Sequence, residues 1–336
     1  MVKLLKTLLA YQFKQSKPSQ KNGGFTLIEV LVGLILALLV ILPLLAFMVN
    51  MLSTDRQEQA KAASAQEIQT ALNYISRDLE QSVYIYDSYG VKKLQDANTL
   101  PTPASSVPVL VFWKRQFLPG VISKQGGNDD AFVYALVAYY LKTPTQTECN
   151  QVNYPWSCTA QITRVLYRES VRDGNTIINA GDANFRNFGE SMKANNLNLA
   201  YIEDIMNAWT SPGLTSKPQD VLIDYIDQTS LPATPAACPP IKRSKAPDSI
   251  DVTAYSNANW QQVPHPSLST IKTYGFYACV DSEKTTAQVV IQGNALARLQ
   301  KKQNPPSYSP NQAAYFPKAT IQIRGRGLYS PSVTED

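Results

Sequence analysis

The sequence predicts an α+β protein: a long N-terminal helix, transmembrane in its first half and amphipathic in its second, packed on a mainly antiparallel β-sheet head. Three observations carry that reading. Val30 to Val49 runs VLVGLILALLVILPLLAFMV, twenty residues without a charge. From Ser53 to about Tyr84 there is no Gly or Pro, and Ile68, Leu72, Ile75, Leu79 and Val83 fall at i, i+4, i+7, i+11 and i+15. After Gly90 the chain turns to Pro, Thr and Ser separating short runs rich in β-branched and aromatic residues.

The apolar run comes first. At 1.5 Å per helical residue it is long enough for a bilayer core. Lys3, Lys6, Lys14, Lys17 and Lys21 precede it, and the first charges after it are the mixed Asp55, Arg56 and Glu58. The positive-inside rule therefore sets the N-terminus in the cytoplasm and everything beyond Asn50 outside. The expected state is a single pass through the inner (cytoplasmic) membrane with a periplasmic or extracellular head. A secretory signal peptide is the rival reading, but the run exceeds an h-region and no clean A-x-A site follows it. Pro43 lies inside the span and lacks an N–H, so a kink or local melting near Leu39–Pro43 is expected. Glu29 stands at the lipid boundary, where a carboxylate is expensive and a functional role is the default expectation. The dipole of a helix N-terminus offsets part of that cost.

The apolar stripe of residues 53–84 predicts that the helix continues and lays one face on a sheet. Gln57, Glu58, Gln66, Glu67, Arg77, Asp78 and Glu80 are assigned to the solvated face. Strands are expected at Val107–Trp113, Phe132–Leu141, Ala160–Arg168, Val221–Ile226, Thr273–Val280, Ala287–Gln292 and Thr320–Arg324. A short helix is expected at Leu197–Trp209. Prolines mark Ser211–Lys217, Leu231–Pro247 and Gln303–Asn311 as loops.

Composition narrows the function. Apolar residues at 44% and charged residues at 17% fit a folded chain. The net charge of +5 equals the charge of the five lysines in Met1–Gly24, which holds no carboxylate. The remainder is balanced, so the basic pI gives no support to nucleic-acid binding. Lys242, Arg243 and Lys245 form the one basic cluster of the head, read first as a solvated loop. Four cysteines, Cys149, Cys158, Cys238 and Cys279, allow three pairings. Outside the cytoplasm two structural disulfides are expected. Locality favours Cys149–Cys158 with Cys238–Cys279, and connectivity stays open.

Catalytic chemistry finds little to use, and no enzyme is expected. The single histidine, His265, lies in the proline-framed loop VPHPS, unsuited to a rigid general base. The pairs Asp129/Asp130 and Asp224/Asp227 are read as a solvated turn and a strand end. No CxxC pair or phosphate-cradling glycine loop is present. No cofactor is assigned. Calcium is the one candidate, because Gly126-Gly127-Asn128-Asp129-Asp130 offers oxygen ligands without EF-hand spacing. Trp156, between Pro155 and Cys158 in a loop, is the tryptophan most suited to an exposed contact.

The junction Gly23-Gly24-Phe25-Thr26-Leu27-Ile28-Glu29-Val30 resembles the class III signal of type IV pilins and type II secretion pseudopilins. The resemblance implies cleavage after Gly24 by a prepilin peptidase and N-methylation of Phe25. It also gives Glu29 the cationic amino group of Phe25 as its partner in assembly. On it the chain divides into a basic leader (1–24), a transmembrane assembly helix (25–52), an amphipathic helix entering the head (53–87) and a β-rich head (88–336). Ala71–Asp87, ALNYISRDLEQSVYIYD, is similar to the larger minor pilins and J-type pseudopilins. VLVFWKRQFLPG at 109–120, DDAFVYALVAYYL at 129–141 and TDRQEQAKA at 54–62 resemble pseudopilins of cyanobacterial hormogonium polysaccharide secretion. The function so implied is a filament subunit supporting polysaccharide secretion and motility, with other pilins, the assembly machinery and the exported polymer as partners. A filament-tip adhesin or polysaccharide-binding minor pilin is the alternative. Calcium binding in a C-terminal loop is a property of related pseudopilins.

Overall fold

The computed structural model describes residues 24–124, 127–173, 176–197, 201–229, 238, 260–264, 275–300 and 305–327. The chain divides into two compact units, residues 1–55 and Arg56–Asp336.

The described part of the first unit is the start of one helix, α1 (Leu27–Glu80). Every residue of this part is exposed, from Phe25 at 80% and Leu27 at 88% through to Leu52. Its most apolar stretch has a mean hydropathy of 3.1, and the helix is long and apolar enough to cross a membrane. Pro43 lies within α1, which is unbroken across Leu39–Pro43. The melting expected there does not occur: the helix tolerates the one N–H that proline cannot donate.

In the second unit α1 runs on from Arg56, over a sequence of Ala, Gln, Glu and Leu that favours helix at nearly every position. It buries Ala60, Ser64, Ile68, Ala71, Leu72, Ile75, Asp78 and Leu79, spaced by three and four. Asp78 was expected in solvent and is instead enclosed. The helix also ends earlier than the expected 84 to 87. Ser82–Ile85 (SVYI) forms a strand, β1. Val83 is thus buried from the strand and not from the helical stripe. Val83, Tyr84 and Ile85 favour a pleated surface, and pairing with a neighbouring strand satisfies their backbone groups, which overrides the helical spacing. The chain end closes over this stop. Arg326 N donates to Glu80 O at 3.0 Å and Gly327 N to Ser82 O at 2.9 Å. A Cβ at Gly325 would lie 2.2 Å from Ser82 Oγ, so only glycine permits that approach.

The remaining elements are α2 (Ser88–Asp96), β2 (Ser106–Lys124), β3 (Gly127–Lys142), α3 (Gln146–Cys149), β4 (Ala160–Arg168), β5 (Val171–Asp173) and β6 (Thr176–Asn179). They continue as α4 (Phe188–Ala194), α5 (Ile202–Asn207), β7 (Asp220–Ile226), β8 (Gln261–Val263), β9 (Phe276–Asp281), β10 (Thr286–Gln292), α6 (Ala295–Leu299), a 3-10 turn (Pro310–Tyr315) and β11 (Lys318–Arg324). One sheet has the order β1-β2-β3-β4-β7, a second β11-β10-β9-β8, and β5 and β6 make a separate ribbon. All pairings are antiparallel.

Two sequence features find their reason here. Val109–Trp113 and Ala135–Leu141 are buried at every position, because the five-stranded sheet is covered on both faces. Phe112, Tyr139 and Arg164 face α1. Trp113, Tyr167 and Tyr134 face the opposite way, onto Phe185, Phe188 and Trp209 of the excursion between β6 and β7. The second sheet alternates. Phe276, Ala278 and Val280 enter the main core, whereas Tyr277 and Cys279 join Cys238, Val290 and Trp260 in a small cluster behind it.

The two sheets meet at one bridge, Ile226 with Gly293, flanked by Asp227 N to Gln292 O at 3.0 Å and Asn294 N to Tyr225 O at 2.8 Å. A Cβ at Gly293 would stand 2.7 Å from Ser64 Oγ, which shows how closely α1 crosses this seam.

Disulfides join Cys149 to Cys158 and Cys238 to Cys279. Of the expected helix at Leu197–Trp209, the described residues include α5 (Ile202–Asn207), and residues 198–200 lie outside them. The α4 helix was not anticipated: Asn187 caps it by accepting from Glu190 N at 2.8 Å. His265, Lys242, Arg243, Lys245, Gly126 and the leader up to Gly23 lie outside the described residues.

Candidate functional site

The candidate site of the first unit is the start of α1. Thr26 precedes the helix, and Glu29 N donates to Thr26 O at 3.0 Å and to Thr26 Oγ1 at 3.4 Å. Thr26-Leu27-Ile28-Glu29 is thus a T-x-x-E start, in which the hydroxyl satisfies one of the donors left over at a helix N-terminus. The T-x-x-E spacing of Thr26 and Glu29 is the sequence signal for this cap, beyond the cleavage motif expected at Gly24–Phe25. Phe25 and Glu29 are both exposed, the one carboxylate among apolar side chains running to Leu52. Pro43 sits in the same exposed helix.

In the second unit the chemistry concentrates where α1 meets β2, β3 and β4. Lys114 Nζ donates to Asp78 Oδ1 at 2.7 Å. Arg164 Nε and Tyr139 OH donate to Asp78 Oδ2 at 2.8 and 2.7 Å. The Lys114 and Asp78 side chains are each 9% exposed. Burial pushes the Asp78 carboxyl up, but Arg164 and Lys114 outweigh it and hold it below the usual carboxylate range. Burial, reinforced by the Asp78 charge, raises the Tyr139 phenol far above its ordinary value, so it remains a donor. The four groups clip the last turn of the helix to three strands.

Other carboxylates are likewise engaged in structure. Asp224 accepts from Ser157 N (2.7 Å), Ser157 Oγ (2.7 Å), Thr159 Oγ1 (3.1 Å) and Tyr225 N (2.8 Å). Asp227 is raised by burial despite bonds from Thr229 and Gln292. Asp129 and Asp130, expected in a turn, lie in β3. Asp129 pairs with Lys124, and Asp130 accepts from Gly120 N at 2.8 Å. Among the described residues no group of three or more His, Cys, Asp and Glu side chains could hold a metal ion. Trp156 is 44% exposed at the rim of a groove lined by α1, the 155–159 loop, β7 and α6.

Residues 19–45 match the family model of the prokaryotic N-terminal methylation motif. No curated protein and no solved structure matches the chain. The motif takes in Gly24, Phe25 and Glu29 and extends through Pro43 along the exposed helix. This chain carries a type IV pilin-like class III signal at the head of its apolar helix.

Proposed function

We propose that the protein is a structural subunit, a pseudopilin or minor pilin, of a type IV pilus-like or type II secretion-like filament, and not an enzyme. The observation that carries this reading is the methylation motif at residues 19–45 running directly into an exposed apolar helix. In this reading the leader is cytoplasmic and a prepilin peptidase cuts between Gly24 and Phe25. Phe25 is methylated, and the subunit waits in the inner membrane with its head outside. Other pilins and the inner-membrane assembly machinery then draw it into the filament. Support for polysaccharide secretion and motility rests on the resemblance of residues 54–62, 109–120 and 129–141 to hormogonium pseudopilins. N-terminal sequencing of the membrane-extracted protein tests the assignment. The chain should begin at methylated Phe25; intact Met1, or a start beyond Val49, refutes it.

A second reading, a filament-tip adhesin or polysaccharide-binding minor pilin, is favoured by one specific observation. Trp156 stands exposed on a loop tied down by a disulfide. Such a subunit would share the N-terminal processing and differ in what its head touches.

A further inference from the structure

We propose that the groove beside Trp156 binds a neutral oligosaccharide. It measures about 930 Å³ and runs along β7, the edge strand of the five-stranded sheet, under α1.

The tryptophan is unusual in its setting. Trp113 and Trp209 are buried to 1% or less, whereas Trp156 is 44% exposed. It is nevertheless held firmly. Pro155 precedes it, the Cys149–Cys158 disulfide anchors the loop two residues on, and Ser157 and Thr159 clamp the backbone to Asp224 through three hydrogen bonds. A large ring carried on an anchored loop leaves only its own side-chain freedom to lose on contact, which suits a stacking platform.

The charges around the groove define the ligand. Glu67 is paired with Arg298, whose guanidinium also lies 4.3 Å from the Tyr225 ring centroid. With Glu67 and Arg298 paired and Asp224 already accepting from four donors, the lining offers a charged ligand no unpaired counter-charge. The hydrogen-bonding groups that remain beside the indole are the amides of Gln66 and Gln300, the Thr70 hydroxyl, which donates to Gln66 O at 2.9 Å and can still accept, and Arg298 Nε, enclosed without a partner. Hydroxyls above a C–H face match that pattern, with the hydroxyls bonding amide and hydroxyl groups and the ring face stacking on indole.

The inference rests on the second reading above, and its failure leaves the first intact. The test uses the full mature chain in lauryldimethylamine oxide, a detergent that carries no sugar. Its start at Phe25 is checked in the same preparation, so that processing and binding are scored separately. Maltotetraose, cellotetraose and mannotetraose are titrated against intrinsic fluorescence and by calorimetry, with tetragalacturonate as the charged control. At least one neutral sugar should give a saturable response that exceeds that of tetragalacturonate. Trp156→Ala should weaken it about tenfold or more, while Trp156→Phe, which keeps a ring, retains most of it. Absence of free thiols and an unchanged melting temperature certify that both variants are folded. The proposal is overturned if none of the three neutral sugars binds up to about 10 mM. Tighter binding of tetragalacturonate, or wild-type affinity in Trp156→Ala, overturns it equally. So does a Trp156→Ala variant whose one defect is lost co-purification with partner pilins.

Discussion

Removing the Asp78 carboxylate should be among the most damaging single changes in the second unit. Asp78 is 9% exposed and holds two cations at 2.7 and 2.8 Å. In Asp78→Asn the two cations remain enclosed against each other without an anion, and breaking a buried pair in this way costs about 3–5 kcal/mol. For a unit of this size about 1 kcal/mol moves the melting temperature by about 2 °C, so a drop of about 6–10 °C is expected. The partner substitution discriminates. As built, the cluster has one negative and two positive groups, so Lys114→Met leaves a balanced Asp78–Arg164 pair that still accepts from Tyr139. That variant should lose only about 1 kcal/mol, near 2 °C. Thermal unfolding of the full mature chain in detergent, followed by near-ultraviolet circular dichroism, reads both. The pH dependence has a definite sign. Asp78 is depressed in the folded state, so its contribution is complete above the unfolded carboxyl value and disappears as pH falls through the folded one. The gap between wild type and Asp78→Asn should therefore hold from pH 7 down to about 4 and close below that. Equal losses for Asp78→Asn and Lys114→Met, or a gap that widens in acid, would refute the charge argument.

Glu29→Val should be cleaved, inserted and disulfide-bonded as wild type, yet fail to co-purify with partner pilins. The reason is that an assembled helix bundle would bury the Phe25 amino group without its counter-charge, and full incorporation of the variant would show the pair to be dispensable. The disulfides should contribute unequally. They close sequence separations of 9 and 41 residues, worth about 2.6 and 4 kcal/mol by loop-closure entropy. Cys238→Ser/Cys279→Ser should accordingly melt below Cys149→Ser/Cys158→Ser, and the reverse order would mean that native-state strain or denatured-state structure dominates.

The sequence made the start of α1 legible because it is written in two strong signals, an uncharged run and a junction motif. The central strands were equally legible, because VPVLVFW and FVYALVAYYL are continuous apolar runs of strand length. Ala160–Arg168 fell where expected, and β2 and β3 proved longer than expected, since their outer halves carry Arg, Lys, Asp and Gly that weaken the apolar signal. The boundary at Glu80 was not legible. Val83 continues the helical stripe by spacing, and only the neighbouring strand, contributed from thirty residues away, makes the strand conformation preferable. Asp78 was misplaced for a related reason. A carboxylate reads as solvated unless its partners are known, and Lys114 and Arg164 lie 36 and 86 residues further along. Local pattern carries no information about such long-range pairing. The Trp156 platform was half visible: the exposed loop could be suspected, but the Asp224 clamp that fixes it joins residues 67 apart.

The same contacts decide what the head consists of. Ile68, Leu72, Ile75 and Leu79 belong to one core with residues of both sheets, and full burial of each such side chain contributes about 1.5–3 kcal/mol. Four of them together match the whole net stability of a typical domain. Asp78 adds the carboxylate without which Lys114 and Arg164 would be enclosed as bare cations. Ser64 and Ile68 press on Gly293 at the seam between the sheets, and Gly325 and Gly327 press on Ser82 just past the helix end. The second half of α1 is therefore a central element of the folded unit, whose boundary falls at Arg56 and not where the helix stops. One helix thus meets two different demands along its length. From Val30 to Val49 its side chains are apolar on every face and need an apolar environment. After Arg56 a single stripe is apolar, and the sheets complete it. The change in periodicity between these stretches, from apolar all round to one face in three or four, marks in the sequence where one set of surroundings ends and the other begins.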